Sequence, residues 1–229
     1  MEDIEATKIR ELFSKGVEMR YQKGEVILRS GDIPQGVYYV VKGNVKMDVI
    51  FENGKELTIN IFKPGSYFPA MWAISNIFNN NNFISINEVT LRRLSRDDFL
   101  RILDKDPRVL MEFTKRLLVG LSGLITNIEY LLFGNAYSRI VAAIILMAKR
   151  FGNSLDKTGN KILITIPLTH QDLANLTAIT RESASIVIGK LKKQNLISVK
   201  TKLLVVNDLQ RLTKESEVEV QEDGKSISL

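Results

Sequence analysis

Apolar residues recur at a heptad spacing in the middle of the chain. They are Leu117, Leu121, Leu124, Ile128 and Leu131, separated by four, three, four and three residues. This spacing predicts a long helix with an apolar seam that packs against another helix. The partner is either a second copy of the chain or, alternatively, the protein's own preceding domain. Asp106-Pro107 supplies a start for the helix, with Asp as the cap, and Gly134-Asn135 supplies its end.

The residues before this helix have the pattern of short β-strands. Between Tyr21 and about Leu94 the chain contains the β-branched and aromatic runs VYYVVKG, NVKMDVIF and ELTINIF. In the second run, apolar residues from Val45 to Phe51 alternate with Lys46, Asp48 and Ile50, an approximate period of two. Asn53-Gly54 follows and predicts a hairpin with a type I′ turn. Together these features predict an antiparallel barrel or jelly roll.

The residues after the long helix are strongly basic. Between Arg139 and Lys214 there are 13 Lys and Arg against 4 Asp and Glu, whereas the first 138 residues are almost neutral. The last fifteen residues are acidic, with five acids and one Lys. This distribution favours a polyanion-binding domain attached to a neutral one, although an ordinary solvated basic surface has the same composition.

Two short helices and a hairpin are predicted inside the basic segment, after a helix at Tyr137–Phe151 and a strand at ILITIPL. Thr169 and Asp172 have the spacing of a capping box, and Thr180 and Ser183 form a weaker version. The second helix is predicted to bury one face and to expose the other. The buried face comprises Ala184, Val187, Ile188 and Leu191, and the exposed face comprises Arg181, Glu182, Ser185, Ile186 and Gly189. LISV and KLLVV then form a hairpin with Lys200 and Lys202 at its tip, suited to phosphate contact.

Several classes of protein are excluded by composition. The chain has no Cys and a single His, His170, so disulfides, iron–sulfur clusters and cysteine or histidine-rich metal sites are not expected. A cupin-type enzyme would need several His and carboxylate ligands on its strands, and the β region has no His. The N-terminus lacks an apolar signal core, and the longest apolar run, Ile140–Ala148, is about half of the ~20 residues that span a bilayer. We therefore expect a cytoplasmic protein that is not an enzyme and has no membrane segment.

These motifs resemble, in order, those of the cyclic-AMP-receptor and fumarate-nitrate-reduction regulator (Crp-Fnr) family. The resemblance runs from about Tyr21 to Val206 through YQKGEVILRSGD, YYVVKGNVK, FKPGSYF, RRLSRDDF and LTHQDLANLTAITRES…KLKKQNLIS. It implies an α+β fold with an N-terminal antiparallel β-roll (jelly-roll) effector domain at 1–105 and a dimerisation helix at 106–136. A winged helix-turn-helix at 137–214 and an acidic tail at 215–229 would follow.

The resemblance also implies a homodimer that binds double-stranded DNA at inverted repeats near promoters, with RNA polymerase as a further partner. The family's Arg-Glu pair, which opens the recognition helix and reads bases, matches Arg181 and Glu182, and Ile186 stands where many members have an Arg. The expected DNA contacts are Thr169, His170, Gln171, Thr180, Arg181, Glu182, Ser183, Ser185, Ile186, Lys200 and Lys202. A ligand-binding or scaffolding protein whose winged helix contacts protein is the alternative.

The effector site departs from the family pattern. Cyclic-nucleotide-binding members carry Gly-Glu and Arg-Ser pairs, where this chain has Pro69-Ala70 and, near the second place, Asn79-Asn80. No cyclic nucleotide is therefore expected. An iron–sulfur cluster is not expected because the chain has no Cys, and haem is not expected because the single His lies in the helix-turn-helix. An apolar small-molecule pocket is one interpretation, and an ordinary core or a regulator without an effector is the other. The candidate pocket residues are Tyr67, Met71, Trp72, Phe83, Leu124 and Ile125.

Overall fold

The computed structural model describes the backbone from Ile4 to Glu222. Its side chains are described between Ile9 and Glu215, except at positions 126, 127, 130, 132 and 133. The chain folds into two compact units that meet in sequence between Gly123 and Leu124. This boundary falls inside a single long helix, α4 (Pro107–Phe133), which the sequence sets apart as a dimerisation segment.

The first unit consists mainly of antiparallel strands, followed by helices. Its elements are α1 (Ile4–Ser14), β1 (Val17–Tyr21), β2 (Val26–Leu28), β3 (Val37–Lys42), β4 (Val45–Ile50), β5 (Glu56–Phe62), β6 (Tyr67–Phe68), α2 (Ala70–Ser75), β7 (Asn82–Ser85), β8 (Val89–Leu94), α3 (Arg96–Lys105) and the first half of α4. Within the described residues one sheet has the order β1-β8-β3-β6 and the other β2-β7-β4-β5. The predicted β-roll is confirmed.

Strand β3 is buried on both faces, because side chains alternate across a strand. Tyr38 and Val40 point into a cluster that also contains Phe68 of β6 and Phe83 of β7, so this cluster fills the space between the two sheets. Val37 and Tyr39 point the other way, into a second cluster formed with α1, α2, α3 and the start of α4. The helices thus cover the outer face of the β1-β8-β3-β6 sheet.

The hairpin between β4 and β5 forms as expected, but the type I′ turn is wrong. Gly54 has a positive φ of 77°, whereas Asn53 has none. The backbone N–H of Gly54 donates to the carbonyl of Phe51, and Phe51 N–H donates to Lys55. Three residues therefore form the loop, and the only left-handed residue among them is the glycine, an arrangement typical of a three-residue hairpin.

The period-two pattern of β4 does not translate into one apolar face. Asp48 is fully buried, while Phe51 is exposed. The cause is a register shift against β5: Met47 pairs with Asn60, but Asp48 pairs with Thr58. Such an irregularity breaks the alternation of side chains. Asp48 accepts a 2.8 Å hydrogen bond from the Thr58 hydroxyl and forms an ion pair with Lys46, so its charge is not left unpaired.

Helix α4 begins where the sequence predicts. The carboxylate of Asp106 accepts a hydrogen bond of 3.0 Å from the backbone N–H of Arg108, which satisfies one of the free donors in the first turn. The helix ends at Phe133, before Gly134-Asn135. Asn135 caps the following helix, because its side chain accepts from Tyr137 and Ser138 N–H groups.

The second unit is a helical domain with a small sheet. Its elements after α4 are α5 (Ala136–Phe151), β9 (Gly152–Ser154), β10 (Ile162–Ile164), α6 (His170–Thr177), α7 (Arg181–Lys193), β11 (Ile197–Lys200), β12 (Leu203–Val206) and α8 (Leu209–Glu222). The sheet order is β11-β12-β10-β9, and most of α5 is buried. This is the predicted winged helix-turn-helix, although only the first three residues of ILITIPL form strand. In the part of the chain that the structure describes, no helix is long and apolar enough to cross a membrane.

The first residues of the predicted acidic tail (215–229) belong to a helix and do not form a separate segment. Residues 215–222 continue helix α8, and residues 223–229 lie outside the described part. Glu215 accepts a hydrogen bond of 3.0 Å from the Tyr137 hydroxyl, which links α8 to α5. The first acidic residue of the tail is therefore part of the folded domain.

Candidate nucleic-acid interface and dimer seam

The first helix of the predicted helix-turn-helix starts with a complete capping box. The Thr169 hydroxyl accepts from the backbone N–H of Asp172 at 3.1 Å, and the Asp172 carboxylate accepts from the N–H of Thr169 at 2.8 Å. These reciprocal bonds satisfy donors that a helix N-terminus leaves free. The capping box is therefore confirmed, and it places His170 and Gln171 in the first turn of α6.

A tight turn connects α6 to α7. Ala178 adopts a left-handed conformation with φ of 54°, and its N–H donates to the carbonyl of Ala174. Thr180 then caps α7, because its hydroxyl accepts from Ser183 N–H at 3.2 Å. Three residues, 178–180, therefore separate the two helices, and the Thr180 cap fixes the α7 N-terminus that carries Arg181.

Helix α7 has the two faces that the sequence predicts. Ala184, Val187, Ile188 and Leu191 are buried against the domain. Arg181 and Glu182 are exposed, and Ile186 is 75% exposed. Ser185 and Gly189, which the sequence predicts on the same exposed face, are half-buried. Because a buried face holds the helix in place, the opposite face is free to enter a groove of about the width of a helix.

His170 touches the middle of this helix. Its Nδ1 lies 2.8 Å from the Ser185 hydroxyl, and both residues are half-buried. The pKa of His170 lies below its usual value, first because of burial and then because of the cations Lys192 and Arg181. The imidazole is therefore neutral at pH 7. The sequence places both residues among the DNA contacts but does not predict that they touch.

The wing is a two-residue hairpin. Lys200 pairs with Leu203, and the turn residues Thr201 and Lys202 have φ of 51° and 66°. Two successive positive φ values are the signature of a type I′ turn. Lys200 and Lys202 are both exposed, as expected for a tip that contacts phosphates.

Other polar residues of this domain have roles that the sequence does not indicate. Lys190 Nζ lies 4.1 Å from the centroid of the Tyr137 ring, so this cation packs on α5. Gln171 is exposed, and its side-chain amide donates to Asn175 Oδ1 at 2.7 Å. For the contact of Lys190, the one sign in the sequence is that position 137 is aromatic and can therefore pack against a cation.

The candidate effector residues of the first unit do not line one cavity. Tyr67 belongs to the cluster under the helices, and Phe83 belongs to the separate cluster between the sheets. Met71 is 64% exposed, and Trp72 is half-buried with the Arg96 guanidinium 5.8 Å from its ring centroid. Aromatic rings occupy the space between the sheets: those of Phe68 and Phe83 are stacked at 4.6 Å.

The side-chain amide of Asn79 fixes the loop that lies near the position of the family's phosphate-binding pair. Asn79 is buried and donates through Nδ2 to the carbonyls of Arg29 (2.8 Å) and Asn81 (3.0 Å). Asn80 is exposed. Neither residue carries a positive charge, and Asn79 is already engaged in holding the loop.

The heptad residues of α4 lie largely open in a single chain. Leu117, Leu121 and Ile128 are exposed, and Leu124 and Leu131 are half-buried. Ile125, a candidate for the effector pocket, is also exposed. A Cβ atom added at Gly120 or Gly123 would meet no atom within 4 Å apart from its chain neighbours and the adjacent backbone of the same helix. Leu117, Leu121 and Ile128 therefore leave apolar surface exposed in the protomer, where another helix can pack.

Comparisons with known proteins agree with this architecture. The chain matches the cyclic nucleotide-binding domain family over residues 18–106 and the Crp-like helix-turn-helix domain family over residues 138–215. Among curated relatives it is 25% identical to the global nitrogen regulator of Synechococcus elongatus, with 87% of this chain and 91% of the relative covered. It is 20% identical to the CRP-like cAMP-activated global transcriptional regulator of Mycobacterium tuberculosis, over 92% and 93% of the two chains.

A solved structure with the same fold is that of a CRP/FNR-family transcriptional regulator from Thermus thermophilus. Its TM-score is 0.70 at 23% identity, with 89% of this chain and all of the other covered. A sequence identity of 23% shows that the two proteins share a fold and does not by itself assign a function. Both domain families match in the order that Crp-Fnr regulators require, and the sequence motifs fall in the same order. The chain is a member of the Crp-Fnr family of transcription regulators.

Proposed function

We propose that this protein regulates transcription in the cytoplasm by binding double-stranded DNA sequence-specifically as a homodimer. The observation that carries the proposal is the exposed Arg181-Glu182 pair in the first turn of a helix capped by Thr180. An Arg at this place forms two hydrogen bonds with guanine, and a Glu accepts from the cytosine amino group. Residues at the start of a recognition helix are those that meet base edges.

The homodimer is supported by the open apolar seam of α4. A dimer presents two copies of α7 and reads two half-sites about one helical turn apart, ~34–36 Å. The operator is therefore an inverted repeat. We further propose that Lys200 and Lys202 contact phosphates beside each half-site, and that RNA polymerase is a partner at the promoter.

For the effector, we propose that cyclic nucleotides do not act on this protein. The relative from Mycobacterium tuberculosis is described as cAMP-activated, but here Pro69-Ala70 and Asn79-Asn80 supply neither a carboxylate for the ribose nor a cation for the phosphate. The stacked rings of Phe68 and Phe83, which fill the space between the sheets, favour a regulator without an effector. A non-nucleotide small molecule that binds elsewhere in this domain is the alternative.

The test is a selection of bound duplexes from a randomised library by the full-length protein, followed by fluorescence anisotropy on the selected and a scrambled duplex. We expect an inverted repeat to be enriched, and preferential binding to persist when the salt concentration is raised. Non-specific binding would fade with salt for both duplexes alike. If no duplex is enriched and the protein instead captures another protein through the α7 face, the alternative of a protein-binding winged helix is correct.

A further inference from the structure

The contact between His170 and Ser185 joins the start of α6 to the exposed side of α7. The Nδ1 and Oγ atoms are 2.8 Å apart. Ser185 lies four residues after Arg181, so the two side chains are one turn apart on the same face of the helix. Its neighbour Ile186 offers only apolar contact. The hydroxyl of Ser185 is therefore the polar group that follows Arg181 and Glu182 along this face.

A serine hydroxyl on its own rotates freely and serves as either donor or acceptor. A histidine nitrogen fixed beside it removes that freedom. If Nδ1 accepts, the Ser185 proton is used, and only oxygen lone pairs remain for a base. If Nδ1 carries a proton, it donates to Oγ, and the Ser185 O–H is available to a base acceptor.

We propose that His170 is a positioning residue for base reading, which orients the Ser185 hydroxyl of the recognition helix and sets whether it accepts from or donates to a base edge. The inference rests on the proposed DNA-binding function. With neutral His170 as the acceptor, Ser185 accepts from an adenine or cytosine amino group. With protonated His170, Ser185 donates to a guanine or thymine oxygen or to a purine N7.

The surroundings favour the neutral form near pH 7. Burial lowers the pKa of His170, and the Lys192 and Arg181 cations of α7 lower it further. On its own helix, the carboxylate of Asp172 is occupied by the Thr169 cap. In the neutral tautomer that carries its proton on Nε2, Nδ1 accepts from the Ser185 hydroxyl. Acidification then protonates Nδ1 and reverses the direction of the hydrogen bond, so the base preference of Ser185 becomes dependent on pH.

The experiment uses full-length protein and the duplex selected from a randomised library. Anisotropy is measured on this duplex, on a scrambled duplex and on a set that varies one base pair per half-site, between about pH 5.5 and pH 8, the range in which His titrates. The variants are Ser185→Ala, His170→Leu, the double variant, and His170→Asn as the matched control. Asn places a polar atom near the position of Nδ1 but does not titrate. Circular dichroism confirms that each variant is folded.

Ser185→Ala and His170→Leu are each expected to reduce the ratio of specific to scrambled binding about fivefold, the effect of one hydrogen bond. Because both changes remove the same interaction, the double variant should lose little more than either single variant. The wild type should change its preferred base pair on acidification. His170→Asn should keep the preference found at neutral pH over the whole range.

Equal weakening of selected and scrambled duplexes by His170→Leu, adding to the effect of Ser185→Ala, would make His170 a phosphate contact and overturn the inference while leaving the proposed function intact. A base preference of the wild type that does not respond to pH would overturn it as well. Failure of the wild type to enrich any duplex would instead remove the proposed function, and this inference with it.

Discussion

The hydroxyl of Thr180 accepts a 3.2 Å hydrogen bond from the backbone N–H of Ser183 at the first turn of α7. This bond fixes the turn that carries Arg181 and Glu182. Thr180→Ala removes it, and loss of an N-cap typically destabilises a protein by about 0.5–2 kcal/mol. We expect weaker binding to the selected duplex and faster hydrogen exchange in the first turn of α7. Thr180→Ser, which keeps the hydroxyl, is the control and should resemble the wild type in both measurements.

Base reading by Arg181 makes a second prediction. Arg181→Ala should lower the affinity for the selected duplex by roughly 1–3 kcal/mol and relax the preference for guanine at one position of each half-site. The measurement is anisotropy on duplexes in which that position carries each of the four bases. An equal loss of affinity on selected and scrambled DNA would identify Arg181 as a phosphate contact instead.

The wing lysines should behave differently from Arg181. Lys200→Gln and Lys202→Gln should weaken binding to all sequences alike and flatten the dependence of affinity on salt, because each removes one phosphate contact. Lys157 is an exposed lysine in the loop between β9 and β10. Ile162, which follows this loop, pairs with Val206, at the far end of β12 from the wing tip. Lys157→Gln is therefore the matched control and should leave the salt dependence unchanged.

The heptad seam predicts the oligomeric state. Leu121→Glu with Ile128→Glu places two charges on the exposed apolar face of α4, and we expect a folded monomer that binds DNA much more weakly. Sedimentation velocity measures the mass. Val119 is 74% exposed but lies ~160° around the helix from Leu121, at ~100° per residue. Val119→Glu should therefore leave the dimer intact. A double variant that still sediments as a dimer would show that another surface holds the two chains together.

Cyclic nucleotides should have no specific effect. Pro69-Ala70 supplies no carboxylate, and the side-chain amide of buried Asn79 is already donated to backbone carbonyls. Isothermal titration calorimetry with millimolar cyclic AMP or cyclic GMP should give no saturable heat, and neither compound should change DNA affinity. Saturable binding in the micromolar range, coupled to tighter DNA binding, would contradict this expectation.

The helix-turn-helix could be predicted from the sequence because its signals are local. Thr169 with Asp172, and Thr180 with Ser183, are capping pairs within one helical turn, and the buried face of α7 follows from helical periodicity. The start of α4 at Asp106-Pro107 is predictable for the same reason. In each case the interacting residues are two to four positions apart, so chain geometry alone brings them together.

The β-roll was predictable as a class, but its interior was not. Whether Asp48 is buried depends on a register shift between β4 and β5, which involves a strand ten residues away. Whether Tyr67 and Phe83 share a pocket depends on which sheet face each side chain occupies. A sequence pattern records only that such residues are apolar or polar, since pairing partners and faces are decided when the sheets pack.

The sequence by itself determined the two helices of the helix-turn-helix, their caps at Thr169 and Thr180, the exposed Arg181-Glu182 pair and the apolar seam of α4. These depend on interactions between residues that are neighbours along the chain. Only the tertiary structure decided that His170 meets Ser185, that Lys190 packs on Tyr137 and that aromatic rings fill the space between the sheets. Those contacts join elements that are distant in sequence, and their distances are set by how buried faces pack against one another.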